Sequence, residues 1–204
     1  SNKNNETDDL FEKALNTTDQ EVIYETLIQH NKESINELLN IAKDIYVGVV
    51  DAFVKEDIKT LRKASNDCRF AKDKMKQLKR KEIMIMRRLD DKMINKNTWF
   101  HLSYNCIEQI LYSLRRICDP CKEYVDNSFT PLDKKYLPEV ENLKEKVVWS
   151  IDAADITIYS SEYKDVDAVM ERIKNREDEV VEMSHEQKKK KKNDKENIDL
   201  GLLY

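Results

Sequence analysis

The sequence predicts an all-α fold, an antiparallel, elongated bundle of about five long helices with spectrin-like packing. Three observations predict it. Two glycines and three prolines in 204 residues leave little turn punctuation. The chain is 37% charged and 40% apolar, the balance expected of helices with one wet and one buried face. Apolar residues recur at spacings of three, four and seven over stretches far longer than a strand.

The first long helix is expected to start near residue 18, where Thr18-Asp19-Gln20-Glu21 reads as a capping box. From there Ile28, Ile35, Ala42 and Val49 repeat every seven residues, with Leu38, Ile45 and Ala52 interleaved and Leu39, Tyr46 and Phe53 beside them. Gly48 interrupts this stripe and predicts the close approach of a neighbouring helix. Asp57 suits the N-terminus of a second helix carrying Ile58, Leu61, Cys68, Met75, Leu78, Ile85 and Leu89. Within it, Ile83-Met84-Ile85-Met86 is expected to be buried nearly all round.

A third helix opens near Asn97 or Thr98, with Cys106, Ile110, Leu114, Ile117, Cys121 and Tyr124 on its expected apolar face. Pro120 predicts a kink near Ile117 or an early end. The stretch CKEYVDNSFTPL that follows reverses the chain. Pro131 biases Thr130 to extended geometry, and Asp126 and Asn127 are suited to ending a helix. A fourth pattern runs Leu137, Val140, Leu143, Val147, Ile151, Ala154, Ile158, and a weaker fifth carries Tyr163, Val166, Met170, Ile173, Val180 and Met183. The expected organisation is a linker or expression remnant over 1–17, a helical bundle over 18–192, and a polar linker with the start of a further helix over 193–204.

Charge is distributed unevenly. Residues 1–54 carry a net −7 and residues 55–96 a net +8, within a chain of net −4. The simplest expectation is that the basic second helix lies against the acidic first one. Lys79, Arg80, Lys81, Arg87 and Arg88 are the candidates for contact with an anionic surface, as is the run Lys188–Lys192. A sequence pI near 5.6 argues against nucleic acid as a partner. No apolar stretch approaches the about 20 residues of a membrane-spanning helix, and no secretory h-region opens the chain, so a soluble chain is expected.

Catalytic and metal-binding readings find little support in the pattern. His30, His101 and His185 lie far apart, and scarce glycine excludes phosphate-cradling loops. Cys118-Asp119-Pro120-Cys121 is a CxxC without a second pair to complete a zinc site, so buried, reduced core thiols are expected. Carboxylate pairs such as Glu33 with Glu37, or Asp178 with Glu182, read as solvated acidic faces. No cofactor, metal or catalytic residue is expected.

Tyr124-Val125-Asp126-Asn127, followed by Pro131-Leu132, resembles a sequence in the cytoplasmic C-terminal region of bacterial sodium-dependent phosphate cotransporters. Leu111 to Ile117 is similar to the helix preceding it. Asp51-Ala52-Phe53-Val54-Lys55-Glu56-Asp57-Ile58 is similar to the turn joining the first two helices of PhoU-like domains. The resemblance implies a PhoU-like regulatory domain with no chemistry of its own. It would act by helix packing at the cytoplasmic face of the inner membrane. The implied partners are a transmembrane transport domain of the same polypeptide, a phosphate-signalling protein, and a second copy of the chain. Some PhoU proteins hold metal on acidic residues one turn before an aspartate, and no aspartate here has Asp or Glu four residues ahead of it. The alternative is a free-standing helical adaptor.

Overall fold

A computed structural model describes residues 2–95 and 99–160, together with separate positions between 171 and 193. The chain is an all-α helical bundle with no strand among the described residues: α1 (Asn2–Asn16), α2 (Gln20–Val54), α3 (Ile58–Met86), the short α4 (Asp91–Asn95), α5 (Trp99–Asp126) and α6 (Leu137–Ser160). It divides into two compact units, residues 1–151 and 152–204. Of the second unit, the end of α6 and scattered helical positions are described. The expected fifth helical stripe and the apolar tip Leu200–Tyr204 lie outside the described residues, apart from polar positions such as Asp178 and Glu182.

The first difference from expectation comes at the start. Within the segment read from sequence as a linker, residues Asn2–Asn16 form α1, and its Ala14 is fully buried against the bundle. α2 starts one residue later than the capping box predicts. Asp19 rather than Thr18 is its cap, with a carboxylate oxygen accepting from the amides of Glu21 and Val22 at 3.1 and 3.5 Å.

α2, α3 and α5 pack against one another to form the core of the first unit. Cross-helix pairs fix their directions. Residue 20 of α2 meets residue 88, residue 31 meets 82, and Glu37 meets Lys74, so α2 and α3 are antiparallel. Likewise Leu61 meets Cys118 and Glu82 meets Tyr104, so α5 runs antiparallel to α3. Ile23, Leu27, Ile35, Leu38, Ala42 and Val49 bury the inner face of α2, with Leu61, Cys68, Met75 and Ile85 facing them from α3. Each fully buried Leu or Ile contributes about 1.5–3 kcal/mol on this bookkeeping.

Both α2 and α5 end with the same backbone device. After α2, Glu56 takes a left-handed φ of 55°, the Asp57 amide bonds the Ala52 carbonyl at 2.8 Å, and the Glu56 amide bonds Phe53 at 3.2 Å. After α5, Ser128 takes φ 52°, with Phe129 to Tyr124 at 3.2 Å and Ser128 to Val125 at 3.1 Å. Each is a Schellman closure without glycine, which costs backbone strain that the surrounding contacts offset. α5 ends at Asp126, in the pair expected to end it, and Ser128 takes the left-handed conformation.

Three further expectations are corrected. A Cβ at Gly48 meets no atom within 4 Å, so no neighbouring helix approaches it; it lines an open groove between α2 and α3. Met84 is 48% exposed, so the apolar tetrapeptide around it is not buried all round. The buried face of α5 is Tyr104, Ile107, Leu111, Leu114 and Cys118, whereas Ile117 and Cys106 face solvent. Pro120 sits inside α5, which continues to Asp126.

Candidate functional site

The residues singled out by sequence motif converge at one end of the bundle. The rings of Phe53, in the last turn of α2, and Tyr124, in the last turn of α5, stack edge-on with centroids 5.6 Å apart. Tyr124 also meets Phe129 at 5.1 Å, and its hydroxyl donates to the Thr130 carbonyl at 2.5 Å. That bond holds the segment leading to Pro131 back against its own helix. Ala52 is buried beneath, while Val125 and Leu132 are half-buried and Asn127 and Pro131 exposed.

Charged groups tie the same end together. Asp57 caps α3, accepting from the Thr60 hydroxyl at 2.6 Å and the Thr60 amide at 3.1 Å, and these bonds hold its carboxyl below the usual carboxylate range. Arg62 pairs with Asp126 at 2.8 Å. Lys144 of α6 sits between Glu141 at 2.8 Å and Asp51 at 2.9 Å, and these two partners push its ammonium pKa up. Burial raises the nearby Tyr46 phenol, with Lys144 opposing.

A second cluster is buried between α2, α3 and α5 toward the other end of these helices, where sequence reasoning found none. Glu82, 2% exposed, accepts from the Tyr104 hydroxyl at 2.5 Å and from the Asn31 amide at 3.2 Å. His30 Nδ1 lies 3.2 Å from the same carboxylate and 3.5 Å from the Ser34 hydroxyl, and Asn31 also reaches Ser103 at 3.5 Å. A buried carboxylate needs such donors to offset its desolvation. The signal was present: Leu61, Cys68, Met75, Glu82 and Leu89 form one seven-residue repeat, with a single charge at a core position. Asn31 and Ser34 likewise interrupt the buried row of α2 between Leu27 and Ile35.

The five candidate anionic contacts separate into two groups. Lys81 lies 3.6 Å from Asp8 and 5.7 Å above the Phe11 ring of α1, and Arg88 donates to the Thr17 carbonyl at 2.7 Å. Lys79, Arg80 and Arg87 make no ion pair among the described residues. Pairing with the acidic α2 is therefore limited: Lys74 meets Glu37, but much of the α3 charge faces elsewhere. In the Lys188–Lys192 run, Lys189, Lys190 and Lys192 are described, and all three are exposed.

The thiols are free. Cys68 and Cys118 are buried and Cys121 half-buried, as expected, but Cys106 is exposed. Burial pushes the Cys118 thiol up to about 11 and raises Cys68 and Cys121 too. Among the described residues no group of three or more His, Cys, Asp or Glu side chains is placed to hold a metal ion, and no helix is long and apolar enough to cross a membrane. Comparison with protein-family models, curated proteins and solved structures finds no match to this chain.

Proposed function

We propose that this chain is a non-catalytic helical domain that regulates a sodium-dependent phosphate transporter from the cytoplasmic face of the inner membrane, by packing against the transport domain or a signalling partner. The observation that carries the reading is the contact between Phe53 and Tyr124. The two sequence segments on which the phosphate-cotransporter resemblance rests, far apart along the chain, form one junction at one end of the bundle.

Deleting residues 18–192 from the full-length polypeptide and measuring sodium-driven phosphate uptake over a range of external phosphate tests the proposal. A changed maximal rate or a changed phosphate dependence is expected. Identical uptake curves would reject regulation of transport and leave a free-standing adaptor as the reading.

A further inference from the structure

The unpaired charge of α3 has a definite address. Between α3 and α5 runs a groove of about 580 Å³. Its floor carries Leu111 and Cys68, 4% exposed each, and its rim carries Arg69, Lys72, Arg115 and Arg116. Tyr112, 60% exposed, stands in the groove with the Arg116 guanidinium 5.8 Å from its ring centroid. Along α3 the cationic row continues from Lys72 to Lys76 and Lys79 at helical spacing, and none of the three makes an ion pair among the described residues.

We propose that this groove is a docking site for an acidic amphipathic helix of a partner protein. The shape favours a helix over a bilayer, because a concave channel with an apolar floor takes a row of side chains, whereas headgroups present a flat surface. The charge pattern favours a peptide over a nucleic acid or a lipid sheet. Glu108 and Asp119 line the same groove, and they would repel a uniformly anionic surface. Asp119 is already engaged by Arg115 at 3.4 Å and by Ser65 at 3.3 Å, which leaves the cations in excess. Exposed Tyr112 is the kind of aromatic anchor that binding surfaces use, and the arginines beside it can pair carboxylates with two bonds each. The proposal rests on reading the chain as a docking domain, and it is independent of phosphate transport.

The test uses the purified chain and a fluorescein-labelled synthetic peptide of about 20 residues, about 30 Å long as a helix, with glutamates on one face and leucines on the other. Anisotropy titration compares it with a scrambled isomer of the same charge, with vesicles of phosphatidylcholine and phosphatidylglycerol, and with inorganic phosphate as competitor. The expected result is saturable binding of the amphipathic peptide, with weaker binding of the scrambled isomer. The double reversal Arg69→Glu with Arg116→Glu is expected to weaken binding by about tenfold, equivalent to ~1.4 kcal/mol, while Lys59→Glu, at the start of α3 and outside the groove, leaves it unchanged. Lys72→Glu, an exposed single change, serves if circular dichroism shows the double variant unfolded. Equal affinity for the scrambled isomer, insensitivity to the groove reversals, displacement by phosphate alone, or binding of vesicles without the peptide would each overturn the proposal. Loss of peptide binding with a persistent effect of deletion on uptake would remove the groove and spare the transport reading.

Discussion

Replacing Glu82 tests whether the buried polar cluster holds α2, α3 and α5 together. Glu82→Leu keeps much of the side-chain volume but removes a carboxylate that accepts from both the Tyr104 hydroxyl and the Asn31 amide. Each hydrogen bond to a charged acceptor that is lost costs about 1.5–3 kcal/mol, so the variant should lose about 3–6 kcal/mol. Tyr104→Phe in the native background removes one bond to the carboxylate and should cost about 1.5–3 kcal/mol. In the Glu82→Leu background that bond is already gone, so the same change should cost less than it does in the native background. Urea unfolding at pH 7, followed by far-ultraviolet circular dichroism with the slope checked for constancy, reads these differences from the midpoints. If Glu82→Leu loses under about 1 kcal/mol, or if the two losses simply add, the carboxylate is not the hub of this cluster.

Four other outcomes follow from the geometry. Gly48→Ala should raise stability by about 1 kcal/mol, since the new methyl meets no atom within 4 Å and alanine favours the helix; a lowered urea midpoint would show that something packs there. Native-state alkylation should modify exposed Cys106 first and spare Cys68 and Cys118 until unfolding, as peptide mapping by mass spectrometry reads. The raised pKa of Cys118, about 11 against an ordinary 9.0, makes its buried thiol stabilising below pH 9. That contribution disappears as pH climbs from 9 toward 11, so thermal midpoints should decline over this window and Cys118→Val should flatten part of the decline. Tyr124→Phe, which keeps the rings and removes the bond to Thr130, should cost about 1 kcal/mol by thermal unfolding.

The helices were legible because their causes are local. The seven-residue repeat of Ile35, Ala42 and Val49 placed the inner face of α2, and Asp57 placed the cap of α3. Misreadings arose where a choice depended on neighbours. α5 has apolar residues on two adjacent strips, and only the packing partner decides that Ile107, Leu111 and Cys118 turn inward while Ile117 does not. Residues 1–17 carry a weak pattern that says linker in isolation, and α1 exists with α2 and α3 to lie against. The cluster around Glu82 was hidden for a related reason. A lone polar residue in an apolar repeat looks like an interruption until the helices that supply His30, Asn31 and Tyr104 are brought beside it. The junction of Phe53 with Tyr124 could not be derived from spacing, although each segment had been picked out separately.

Because one aromatic side chain braces the exit of α5 against the exit of α2, the ends of these two helices are held to each other. Lys144 adds a second linkage, joining the beginning of α6 to the end of α2 through Asp51. The segment beyond Pro131 is thereby tied to the neighbouring turn between α2 and α3.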